Sequence, residues 1–252
     1  MTAKKRDAGV VYEAIAEGLR SRIESGDLPP GAKVPGEKEL MELHGVSRDT
    51  AYRALQLLRA EGLTVGRQGA PTRVRTYERI RREANKRLSA EVWGEGRSMW
   101  SADIVDKAPD VLGLQVERVT VDESTAGRLG ISAGDEAVRR SRYYVVDEKP
   151  VLLSTAHIPA DLAQGTKIEE ENTGPGGVWA RLADQGHAPV RSVEEVICRM
   201  PWTSEKVQLQ MLPGTPVVEI TRSAMDESGR VVELNVMVLD ASNYVLEYVV
   251  PA

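Results

Sequence analysis

The chain has 252 residues, 28% of them charged and 41% hydrophobic, with a formal net charge of −5, enough length for two domains, each with its own core. One cysteine, Cys198, rules out an internal disulfide and a multi-cysteine metal site, and the three histidines (His44, His157, His187) are too scattered to ligate together. No run of about eighteen apolar residues and no secretory leader are present, so a cytoplasmic protein without membrane contact is expected.

Charge is unevenly placed. Residues 1–82 hold sixteen Lys/Arg against eleven Asp/Glu, and the remainder holds seventeen against twenty-seven. A basic third joined to an acidic remainder suits one module that meets phosphate and another that does not.

In chain order, the first helix is expected over residues 10–25, with Tyr12, Ile15, Ala16, Leu19 and Ile23 on one face and Gly26 ending it. Asp27 to Gly31 is a turn-rich connector. A short helix over 37–43 turns Leu40, Met41 and Leu43 inward and Lys38 outward. After His44-Gly45-Val46 a second helix opens on Ser47, a good N-cap residue. Ala51, Ala54, Leu55 and Leu58 form its apolar face. Asp49, Arg53 and Gln56 lie opposite that face with Arg48 and Tyr52 on its flank, and Arg48, Asp49, Thr50 and Tyr52, near the first turn that meets base edges, are the expected readers. Residues 63–67 and 72–75 alternate as two short strands whose tip carries Arg67, Gln68 and Gly69, with Thr72 and Arg73 beside it. Such a hairpin can lie along a minor groove.

These residues carry a resemblance. Ile23-Glu24-Ser25-Gly26-Asp27-Leu28-Pro29-Pro30-Gly31, Val34-Pro35-Gly36-Glu37, Gly45-Val46-Ser47-Arg48, Glu61-Gly62-Leu63 and Gln68-Gly69 resemble the winged helix-turn-helix of the GntR family of bacterial transcription regulators. The resemblance implies a double-stranded DNA operator as partner and Lys38, Ser47, Arg48, Asp49, Thr50, Tyr52, Arg53, Arg67, Gln68, Gly69, Thr72 and Arg73 as DNA-contacting residues. Family members often carry Val-Arg after the threonine of the second helix. Ala51-Tyr52-Arg53 stands there in this chain, so different operator bases are implied.

Residues 77–89 read as a charge-dense linker between a DNA-binding domain (1–76) and a second domain (90–252). In the latter, strands are expected over 116–121, 137–146, 151–158, 190–198, 217–223, 231–239 and 244–250, with helical pieces over 123–129, 177–185 and 203–210. Asp226 to Gly229 and Asp240 to Asn243 read as hairpin turns joining the last three strands. Cys198, in a strand-like run, is expected to be buried. The whole is multi-domain: a mostly α winged helix with a small β wing, then an α+β antiparallel-sheet domain.

Leu129-Gly130-Ile131-Ser132-Ala133-Gly134-Asp135, Arg140-Ser141-Arg142, Asp147-Glu148-Lys149-Pro150 and Leu212-Pro213-Gly214-Thr215-Pro216 resemble the UTRA-type effector domain of the HutC subgroup, whose fold is shared with chorismate lyase. The resemblance implies a homodimer controlled by a small-molecule effector. Members that bind phosphorylated sugars tend to carry two arginines and a glutamate at places occupied here by Arg142, Tyr144 and Ser154, which disfavours a phosphosugar and leaves an uncharged or singly anionic effector. Arg142, Tyr144, Ser154, Glu233 and Tyr244 are the expected pocket residues, with Trp93, Trp100 and Trp179 at its mouth. No cofactor, metal or catalytic residue is expected. The most consistent reading is an effector-controlled DNA-binding regulator, a repressor rather than an activator. A ligand-independent plasmid or chromosomal DNA binder and a lyase-type enzyme are the alternatives.

Overall fold

The structure, a computed structural model, describes residues 3–66, 70–77, 79–83 and 110–249. They fall into two units. The first holds the described residues up to 77 with the segment Met211–Thr215, and the second holds the rest.

In the first unit, α1 (Ala3–Glu24), α2 (Glu37–His44) and α3 (Arg48–Ala60) precede two short strands, β1 (Thr64–Val65) and β2 (Arg73–Val74), which pair antiparallel. The apolar stripes of the helices meet in one core, with Ala16, Leu19, Val34, Leu40, Ala51, Ala54 and Leu58 almost fully enclosed. α2 stops where Gly45 turns left-handed (φ 64°), its N–H returning to the Met41 carbonyl, a conformation that costs glycine little. Two residues later Ser47 caps α3: its Oγ accepts from the Thr50 N–H at 3.3 Å. Expected and observed helices agree apart from α1, which starts earlier.

The second unit is built on a six-stranded antiparallel sheet. β4 (Asp110–Thr120), β5 (Glu136–Val146), β6 (Lys149–Pro159), β7 (Arg191–Arg199), β8 (Val217–Met225) and β9 (Val231–Asp240) stand in the order β4-β5-β6-β9-β8-β7. Helices α4 (Glu123–Leu129), α5 (Ala160–Ala163), α6 (Gly177–Asp184) and α7 (Thr203–Gln208) fill the connections. Because side chains alternate between faces, the register separates two faces. One carries Val138, Arg140, Arg142 and Tyr144 on β5, opposite Ile158, Ala156, Ser154 and Leu152 on β6. Trp179 and Leu182 of α6 pack with Val138, Ala156 and Ile158 at one end of this face. At its other end Tyr144, Leu152, Ile220, Met237 and Leu239 make a second apolar cluster. The opposite face packs Ala137 and Leu234 against Ala126 and Leu129 of α4.

Three expectations are corrected. Within the expected linker, Ile80–Glu83 is a strand, β3, paired in parallel with β10 (Tyr244–Glu247), Tyr244 opposite Ile80 and Glu247 opposite Glu83. Accordingly Asp240 to Asn243 is not a hairpin turn: it forms a 3-10 turn, Asp240 accepting from the Ser242 N–H, that releases the chain to β3. Cys198 is exposed, because β7 is the sheet edge and both its faces are largely uncovered.

Candidate functional site

Two constellations stand out, one in each unit. In the first, α3 presents Arg48, Asp49, Tyr52 and Arg53 outward, all exposed, opposite its buried face. Arg48 Nε donates to Glu37 at 2.6 Å, a bond that raises its pKa above the ordinary arginine value. This pair ties the start of α3 to the start of α2, and the guanidinium must leave or share that carboxylate to meet a base edge. Arg53 lies over the Tyr12 ring at 4.2 Å from its centroid. Lys38 is exposed and 4.0 Å from Glu42. Arg73 donates to the Gly31 carbonyl at 2.8 Å, and Thr72 is half-buried behind it. Thr50 departs from expectation: it is buried and its Oγ1 is 3.0 Å from Ser47 Oγ, so it belongs to the cap and faces away from a reading surface. Arg67, Gln68 and Gly69 lie outside the described residues.

The second constellation is a band of buried polar side chains between the two apolar clusters on the α6 face of the sheet. The register aligns Arg140, Ala156, Asn235, Arg222 and Glu194 in one row, and Arg142, Ser154 and Met237 in the next. Arg140 is spent on structure: its guanidinium donates to the carbonyls of Ile168, Glu170 and Glu171 at 2.6, 2.5 and 2.9 Å. Burial, and then the charge of Arg142, lower its pKa to about 10. Glu233 Oε2 accepts from Trp179 Nε1 at 2.8 Å and from Arg222 Nη2 at 3.1 Å. The Arg222 guanidinium lies 5.1 Å from the centre of the Trp179 ring. Ser154 Oγ donates to Asn235 Oδ1 at 3.0 Å. Arg82 of β3, fully buried, grips both oxygens of Glu194 at 2.5 and 3.0 Å.

Among the described residues, Nε of Arg142 and Nε and Nη1 of Arg222 are buried without a hydrogen-bond partner. Among the described residues, Arg82, Arg140 and Arg222 are buried in this band and Arg142 is half-buried, with Glu194 paired to Arg82 and Glu233 to Arg222. Buried donors left unpaired are costly, and an acceptor-rich occupant removes that cost.

Of the expected pocket residues, Arg142, Ser154 and Glu233 fall in this band. Tyr144 presents its ring to Arg142 at 5.4 Å and otherwise packs, with Tyr244, in the apolar cluster that bounds the band. Trp93 and Trp100 lie outside the described residues, while Trp179 is buried against Glu233 rather than standing at a mouth. Sequence reasoning missed Arg140, Arg222, Asn235 and the Arg82–Glu194 pair. The signal for Arg140 was available, since Arg140-Ser141-Arg142 puts two arginines two apart on one face of a strand. A separate cavity of about 470 Å³ reaches Arg142 and Ser154. Its other sheet side chains, Gln115, Ser141, Tyr143, Leu153 and Thr155, alternate onto the outer face and carry no charge, so Arg142 is a cation that it shares with the buried band.

An N-capped helix held by a glycine turn and followed by a β wing, together with a separate sheet domain holding a charged interior, defines a two-module, helix-turn-helix class of protein. Family comparisons agree, residues 11–74 matching the bacterial regulatory proteins of the gntR family and residues 106–245 the UTRA domain. The chain belongs to the GntR family, in its UTRA-containing branch, and is a DNA-binding transcriptional regulator with an effector-binding domain. The HTH-type transcriptional regulator SCO4628 of Streptomyces coelicolor is 28% identical over 94% of this chain and 91% of its own length. The HTH-type transcriptional regulator GgaR of Escherichia coli K12 is 27% identical over 90% and 85%. The HTH-type transcriptional repressor NagR of Bacillus subtilis is 24% identical over 92% and 91%. A crystal structure of a GntR-family transcriptional regulator, 26% identical, superposes with a TM-score of 0.68 over 96% of this chain and 98% of that one. PhnF of Mycobacterium smegmatis shares the fold at 22% identity, with a TM-score of 0.56 over 96% and 99%.

Proposed function

We propose that this protein is a cytoplasmic, homodimeric repressor that reads an operator with Arg48, Asp49, Tyr52 and Arg53, while Lys38 and Arg73 touch phosphate. Its operator affinity falls when a small acidic molecule enters the buried polar band. It works by binding and not by catalysis. The observation that carries the ligand half is the set of unpaired, buried N–H groups on Arg142 and Arg222 beside Ser154, Asn235 and Glu233. Arg142 takes the acidic group, and the Ser154–Asn235 pair and Glu233 take hydroxyl or amide groups. The open N–H groups of two guanidinium cations favour an anion over the uncharged alternative.

Dimerisation is needed because one winged helix reads only a short half-site. The last described strand, Tyr244–Glu247, is engaged by β3. β7 instead offers an uncovered strand edge bearing Val193, Val196 and Ile197, at 41%, 42% and 54% exposure. An exposed apolar edge is a template for a second strand.

The test is operator binding by wild type and Arg48→Ala, measured on DNA from upstream of the protein's own gene and on scrambled DNA across a salt series. Log affinity should fall linearly with log salt, and Arg48→Ala should narrow the preference for the operator. Equal losses on both DNAs make Arg48 a phosphate contact and remove its reading role. A thermal-shift screen of acidic and neutral metabolites, repeated on Arg142→Ala, tests the ligand half. Stabilisation that survives the substitution places the ligand elsewhere.

A further inference from the structure

We infer that Gly214 and Thr215 are positioning residues for operator reading, a clamp that fixes the end of α3 against the wing. The inference rests on α3 being the reading helix.

Met211–Thr215 belongs with the first unit, although β4, β5, β6 and β7 all precede it in sequence. Its contact falls on the turn between α3 and β1, where Glu61 closes the helix and Gly62 turns left-handed (φ 75°). Gly214, itself at φ 71°, lies backbone to backbone against this turn. A β-carbon on Gly214 would overlap the Ala60 carbonyl oxygen and stand 2.7 Å from the Gly62 nitrogen. One on Gly62 would stand 3.0 Å from the Gly214 carbonyl oxygen. Glycine alone admits so close an approach, so each of the two is required by the contact as well as by its own φ.

Thr215 supplies the second hold. It is 3% exposed, and its hydroxyl accepts from Arg75 Nη1 at 2.6 Å. Arg75 directly follows β2, and its backbone N–H donates to the Leu63 carbonyl at 2.9 Å. Tyr77 donates to the Gly62 carbonyl at 2.9 Å and presents its ring to the Arg75 guanidinium at 5.1 Å. Gly62, Arg75, Tyr77, Gly214 and Thr215 thus join the end of α3 to both strands of the wing.

The apolar core of the helix-turn-helix is built from residues between Tyr12 and Val74, so the clamp adds to a head that already has its core. What it fixes is the spacing of two reading elements. The helix meets base edges in the major groove while the wing lies along the minor groove, and both must land at once. A helix end free to swing keeps phosphate contacts and loses base contacts, which are directional.

The experiment measures the affinity of the full-length protein for the operator and for scrambled DNA across a salt series, with thermal melts alongside. Gly214→Ala and Thr215→Val should each lower the preference for the operator by roughly 5- to 150-fold, the loss of about one base contact. Affinity for scrambled DNA and the salt slope should not change. Thr215→Ser keeps the accepting hydroxyl and should bind as wild type does. Operator preference retained in both Gly214→Ala and Thr215→Val overturns the clamp. An equal loss on both DNAs with a lowered melting temperature also overturns it, because the segment then serves the fold alone. Thr215→Ser as weak as Thr215→Val removes the role of the hydroxyl. Equal losses on both DNAs in Arg48→Ala instead overturn the reading role of α3 on which the clamp rests.

Discussion

Trp179→Phe is the sharpest probe of how the polar band is held together. The substitution keeps an aromatic ring but deletes Nε1, which donates to Glu233 at 2.8 Å, with Trp179 and Glu233 only 1% and 2% exposed. A hydrogen bond to a buried charged acceptor contributes about 1.5–3 kcal/mol. The smaller ring leaves a void costing on the order of 1 kcal/mol, and a weaker face for the Arg222 cation removes about 0.5 kcal/mol. The expected destabilisation is about 3–4.5 kcal/mol, a fall of roughly 6–18 °C in the melting temperature at 2–4 °C per kcal/mol. Thermal unfolding by circular dichroism measures it, in a cycle with Glu233→Gln. The two substitutions share one hydrogen bond, so the cycle should show coupling of at least about 1 kcal/mol. Additivity to within about 0.5 kcal/mol is the behaviour of independent sites, and it would refute the claim that Trp179 positions this carboxylate.

Ser47→Ala should destabilise the first unit by about 0.5–2 kcal/mol and weaken operator binding, while Ser47→Asp should restore both. An unchanged melt would mean that the 3.3 Å cap bond contributes nothing. Ile197→Arg should convert the proposed dimer to monomer in sedimentation without lowering the melting temperature, because the side chain is exposed. A surviving dimer would place the interface away from β7. Asp226 supplies a pH test. Bonds from Ser228 and then His187 hold its pKa at about 2, below its ordinary 3.8. A depressed carboxylate stabilises the fold fully above its ordinary pKa and loses that contribution as pH falls through the folded value. Urea midpoints should therefore decline from about pH 4 towards pH 2, and Asp226→Asn should flatten that decline; parallel curves would contradict it.

What was legible in the sequence was local. Ser47, Gly45 and the spacing of Ala51, Ala54, Leu55 and Leu58 act within a turn or two of helix, so the winged helix could be read from them. Alternation likewise located the six long strands and the three helical pieces between them. The fate of Ile80–Glu83 was not legible: Ile-Arg-Arg-Glu has no apolar period, and its partner strand lies near the other end of the chain. Arg140 and Arg222 were not legible as interior residues because the groups that enclose them, the carbonyls at 168–171 and Trp179, come from distant segments. Thr50 looked like a base reader because residue type alone does not say which way the first turn of a capped helix faces. For Cys198 the strand was right and its burial wrong, since a strand's place at the sheet edge is a property of topology.

The parallel pairing of β3 with β10 also bears on how the chain is made. The core of the first unit draws on residues from Ile15 to Val74, and all of these have left the ribosome while most of the chain is still unsynthesised. β3 must wait until residues 244–247 emerge before it has a partner. For the greater part of synthesis, then, the nascent protein carries a folded helix-turn-helix head whose following strand has no partner. A stop codon or proteolytic nick that removes only the last few strands should leave that head folded and permanently deaf to its effector, a dominant defect made by losing residues that belong to the other unit.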